Sequence, residues 1–141
     1  MTFENLPPHW QTLPIDDPTI MDDVVDLVTQ HSDRLQRSLM VLLCDETGRL
    51  LQPISINGLD RRPSRSHMEA MVSWLGHLPE RLGGEPLSAL FALAYPADRD
   101  LSVGDRQGWA QVIHVTCEAM GIRVLGVRLA TVDRVGPLVA A

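Results

Sequence analysis

The side chains of this chain that could hold a metal, attack a substrate or bind an anion are five histidines, two cysteines and a group of arginines. His9, His31, His67, His77 and His114 are scattered, and no two have an HExxH-type spacing. His114 and Cys117 stand three apart in a stretch of helical periodicity, so they neighbour each other on one helix. A mid-helix thiol lacks the helix N-terminal field that lowers a cysteine pKa. Both Cys44 and Cys117 lie in apolar segments and read as buried thiols of a reducing compartment, with no CxxC pair to suggest a metal. His114 is expected to be partly buried. His67, two residues before Glu69, reads as one of two neighbouring polar surface residues. Arg61, Arg62 and Arg65 precede a capped helix start. Guanidiniums in that position suit a phosphate or carboxylate, so the three are a candidate anion or partner contact. The alternative is a solvated loop, since neither GxxxxGK[ST] nor GxGxxG occurs.

One further pattern has the spacing of a metal site. Ala92-Leu93-Ala94 is followed after seven residues by Ser102 and, after two more, by Asp105. This resembles the motif of the JAB/MPN metallo-isopeptidases, in their RadC-like branch: His-x-His, seven residues, Ser, two residues, Asp. The resemblance spans Ser38 to about Leu138. In that family the two His and the Asp hold zinc, and the Ser helps stabilise the oxyanion. Both His positions are alanine here. Alanine has no donor atom, and a catalytic zinc needs about three protein ligands. The resemblance therefore implies an α/β fold with Ala92, Ala94, Ser102 and Asp105 as a vestigial metal site. It implies no metal, no cofactor and no catalysis, and a protein-interaction or scaffold role instead. Glu69 is the nearest candidate for the family's catalytic Glu, but a capping box already explains it. Ser-x-x-Asp ahead of an apolar helical run also reads as a plain helix cap. The competing reading is a small ligand-binding protein or enzyme with a pocket that needs no metal.

Composition narrows the field. A chain of 141 residues suits one domain with a real core. The net charge is −6 and the chain has no Lys, so all its cationic side chains other than histidine are Arg. That balance argues against broad binding to nucleic acid or to an anionic membrane, which needs a basic footprint. No apolar run is long enough to span a bilayer, and the first residues carry neither a basic n-region nor an apolar h-region. The expected location is the cytoplasm.

These residues must be positioned by regular elements. Residues 1–18 hold Pro7, Pro8, Pro14 and Pro18 and read as an extended arm. Its Phe3, Trp10 and Leu13 need a surface, either the arm's own domain or a second subunit, which would make a homo-oligomer. Thr19 is expected to cap a helix running to about Ser32. Ser38–Cys44 and Arg49–Ile56 read as strands around an Asp45–Gly48 hairpin, with Pro53 pushing the second to a sheet edge. Ser66 and Glu69 predict a capping box for a helix ending near Pro79, with Gly83-Gly84 breaking the chain. Leu87–Tyr95 reads as a buried strand, Pro96–Leu101 as a polar loop, and 102–120 as a helix stopped by Gly121. Ile122–Thr131 alternates as a strand, and Pro137–Val139 as a short edge strand. Residues 19–141 thus make a single-domain mixed-sheet α/β sandwich.

Overall fold

The computed structural model describes residues 6–17, 20–77 and 85–139. Its helices are α1 (Met21–Val28), α2 (His31–Leu35), α3 (Arg65–Ser73) and α4 (Val103–Met120). Its strands are β1 (Ser38–Asp45), β2 (Leu50–Ile56), β3 (Leu87–Ala94), β4 (Arg123–Ala130) and β5 (Val135–Pro137). They form one mixed sheet in the order β2-β1-β3-β4-β5, in which only β3 and β4 run parallel, joined by α4. The fold is a single-domain α/β sandwich.

β1 and β3 sit inside the sheet with helices or chain on both faces, which is why each reads as an unbroken apolar run. One face carries Leu39, Val41, Phe91, Leu93 and Tyr95 against Met68 and Val72 of α3 and Trp109, Val112, Ile113 and Cys117 of α4. The other face carries Met40, Leu42, Cys44, Leu90, Ala92 and Ala94 against Val24 and Val25 of α1 and Ile15. Pro53 lies on the edge strand β2, as its missing N–H requires. In the hairpin, Asp45 Oδ1 accepts from the Thr47 and Arg49 amides at 2.9 and 3.1 Å, and Gly48 takes φ +90°. Ser102 Oγ accepts from Asp105 N at 3.0 Å to start α4, and Gly121 at φ +73° closes it.

Three expectations change. The first helix does not run to Ser32, because buried Thr29 turns extended and α2 starts afresh after Gln30. A tertiary contact explains the break. The Arg34 guanidinium donates to Thr29 O (3.0 Å), Asp26 Oδ1 (2.8 Å) and Thr131 O (2.7 Å), tying both helices to the end of β4. Thr19 lies outside the described residues, as do Pro79, Gly83 and Gly84. α3 is capped by Ser64, whose Oγ accepts from His67 N at 3.1 Å, and not by Ser66. Starting at Arg65 puts that residue one turn before Glu69, and the two pair at 3.3 Å. The last strand begins at Val135, not Pro137, because Val135 pairs with Ala130 and is buried.

Residues 6–17 are built into the same chain. A turn of 3₁₀ helix at Trp10–Thr12 leads to Ile15, whose N–H donates to Gly48 O at 2.9 Å and whose side chain is fully buried. Leu6, Trp10 and Leu13 pack beside it on the α1 face. The described apolar side chains of the arm therefore find their surface within the domain; Phe3 lies outside the described residues.

Candidate functional site

Topology brings the polar loops together. β1 is antiparallel to both β2 and β3, so β2 and β3 point the same way and end at the same edge. The loops after them, residues 57–64 and 95–102, leave side by side at the carboxyl ends of the strands, a common place for a ligand crevice in α/β sheets. Contacts to the start of β1 fix the first loop: Leu59 N donates to Arg37 O at 2.8 Å, and Asn57 Oδ1 accepts from the Ser38 hydroxyl at 2.7 Å. Arg106 of α4 clamps the second loop, donating to Leu101 O at 2.8 Å and to Asp98 O. Asp98 is further held by Arg134 at 2.7 Å, and Asp100 Oδ2 accepts from Ala97 N at 2.9 Å.

Between the loops lies a cleft of about 440 Å³ lined by Arg61, Arg62, Arg99, Asp100, Ser102 and Asp105. Among the described residues the guanidiniums of Arg61, Arg62 and Arg99 make no hydrogen bond or ion pair, and neither does the Asp105 carboxylate. The Val103 and Gly104 amides at the start of α4 have no intrahelical acceptor, as in any helix, and add to the positive field. Arg65, grouped with Arg61 and Arg62 by sequence, stands apart: it bonds Glu69 and the Gln111 Oε1 at 2.9 Å. Arg99 and Asp100 escaped sequence reasoning. Their sign was only a polar loop, and what makes them matter is the shared direction of β2 and β3.

The four positions of the metal-like spacing do not gather. Side chains alternate along a strand. Ala92 and Ala94 point to the α1 face, while Ser102 and Asp105 begin α4 on the opposite face. The α4 face instead takes Ala89, Phe91 and Leu93 of β3 and, just past the strand, Tyr95. A shift of one residue exchanges the faces of a strand. No family model, no curated protein and no solved structure matches the chain.

Tyr95 is fully buried and its hydroxyl has no hydrogen-bond partner among the described residues. Burial pushes the phenol up to about 12. The Asp105 and Asp60 charges add to the rise and Arg37 opposes it, which puts Tyr95 within electrostatic reach of the cleft. The thiols are silent. Burial pushes Cys44 up to about 12, with Asp45 and Asp16 adding, and Cys117 up to about 11. They occupy opposite faces of the sheet and are not bonded to each other. His114 is exposed, not partly buried. The inner positions of α4 are 109, 112, 113 and 117, and residue 114 turns away from that stripe. His67 is partly buried, with Nδ1 at 3.8 Å from Asp60 Oδ2. Among the described residues no three His, Cys, Asp or Glu side chains converge as a metal site, and no helix is long and apolar enough to cross a membrane.

Proposed function

We propose that this domain is a non-catalytic binding module that captures an acidic group of a protein partner in the cleft of Arg61, Arg62 and Arg99. One observation carries the reading: three arginines without a partner among the described residues line one space at the start of an 18-residue helix. Guanidiniums bind carboxylates through paired, charge-assisted hydrogen bonds, and all three of these arginines are exposed to a ligand arriving from solvent. The vestigial metal-site positions lend this reading no support, since Ala92 and Ala94 lie on one face of the sheet and Ser102 and Asp105 on the other. Two unpaired, buried thiols support a cytoplasmic location. Self-association through residues 1–18 drops out of the proposal, because Trp10, Leu13 and Ile15 are already packed.

The test is titration of a capped tripeptide, Gly-Glu-Gly, into the wild-type chain and into R61E/R62E. Exposed pairs are worth at most about 1 kcal/mol each, so for three of them a dissociation constant on the order of 10 mM is expected. Charge reversal should abolish binding. Unchanged binding in the variant would refute the reading. Acetate is the second probe, since a cleft of this size also suits a small ligand. Tighter binding of acetate than of the peptide would make the site one for a free acid.

A further inference from the structure

Resting on that reading, we infer that the acidic side chain taken by the cleft is flanked by a basic one, so that the partner presents a mixed-charge segment and not a run of acids. The lining itself has both signs. Arg61, Arg62 and Arg99 share it with Asp100 and Asp105, so three guanidiniums and two carboxylates leave one positive charge. Asp100 is engaged by the Ala97 amide, whereas the Asp105 carboxylate has no hydrogen bond or ion pair among the described residues, although three arginines line the same cleft. Elsewhere in the molecule acids within reach of an arginine pair with it, as Asp22 does with Arg128 and Asp98 with Arg134. In the cleft the backbone holds the two signs apart. Arg61 and Arg62 stand on a loop pinned to β1, and Asp105 stands on the first turn of α4, whose cap fixes it.

A ligand with one anionic group satisfies the arginines and leaves Asp105 facing a carboxylate of its own sign. A ligand with an adjacent ammonium or guanidinium satisfies both walls. The net charge of the chain favours the same choice, because at −6 it repels an approaching polyanion and is indifferent to a segment of balanced charge.

The experiment compares capped Gly-Glu-Lys-Gly with its neutral counterpart Gly-Glu-Gln-Gly, titrated into wild type and D105N. Among the described residues the Asp105 carboxylate accepts no hydrogen bond, and its backbone N–H makes the bond to Ser102, so the Asn variant keeps the helix cap. The Lys peptide should bind wild type about fivefold more tightly, the factor for roughly 1 kcal/mol between charges ~4 Å apart in water. D105N should lose that factor and hold both peptides equally. Equal affinities in wild type, or a Lys preference that persists in D105N, would overturn the inference while leaving the arginine reading intact. Binding of neither peptide would fail the arginine reading itself.

Discussion

Two groups of arginines in this molecule are used in opposite ways. On the α1 side, Arg128 grips Asp22 with bonds of 2.7 and 2.8 Å, and Arg34 joins Asp26 to two backbone carbonyls. Arg34 is buried, and Arg128 and Asp22 are partly so. At the cleft on the α4 side, Arg61, Arg62 and Arg99 are exposed and pair with nothing among the described residues. A buried cation that loses its partner is costly, so the first group is tied to the fold. An exposed cation costs the fold little whether paired or not, so the second group is free to serve a ligand. The same residue type is therefore tied to structure in one place and, in the function proposed above, to recognition in the other.

The largest effect tests which face is which. Replacing Ala92 and Ala94 with His would put two imidazoles into the fully buried α1-side core, away from Asp105. Overpacking together with burial of unpaired polar rings should cost about 4 kcal/mol or more. The double variant should unfold at much lower temperature and take up no zinc. A stable variant that binds one zinc per chain would show that these positions do converge with Asp105.

Next comes the structural arginine. Arg34→Ala would leave Asp26 and the carbonyls of Thr29 and Thr131 without their donor. The expected loss is about 3 kcal/mol, which in a chain of this size lowers the unfolding midpoint by roughly 10 °C. A shift of a degree or two would place Arg34 with the dispensable arginines of the cleft.

The thiols give a smaller, pH-dependent effect. Cys117 is raised from an ordinary 9.0 to about 11 by burial, so the folded state favours the neutral thiol. That contribution is complete below pH 9 and disappears as the pH rises through 11. It amounts to about 2–3 kcal/mol at full size. Cys117→Ala should flatten the alkaline fall of stability between pH 9 and 11 in urea unfolding. An unaltered slope would mean that the thiol is not desolvated.

Much of the fold was readable beforehand, and the exceptions have physical causes. The apolar runs of β1 and β3, the Asp45–Gly48 turn, edge Pro53, the Ser102 cap and the stop at Gly121 all rest on local chemistry, and each falls where expected. The phase of β3 was not readable, because every residue from Leu87 to Ala94 is buried and no polar alternation marks a face. Spacing alone therefore could not tell Ala92 and Ala94 from Leu93 and Tyr95. The break at Thr29 comes from Arg34 and the end of β4, a contact between residues far apart in sequence. Arg61 and Arg62 were visible as a cluster. That Arg99 would join them and Arg65 would not depends on which strands run together.

The contrast between bound and free arginines is tested most directly by backbone-amide NMR of wild type and the R61A/R62A/R99A variant during titration with capped Gly-Glu-Gly. The account predicts shifts in wild type confined to residues near 61–64 and 99–105, and no saturable shifts in the variant. The variant's stability should stay within about 0.5 kcal/mol of wild type, as for exposed side chains without partners. Wild-type shifts elsewhere, or a variant that binds as well as wild type, would contradict the claim that these arginines are held for a ligand.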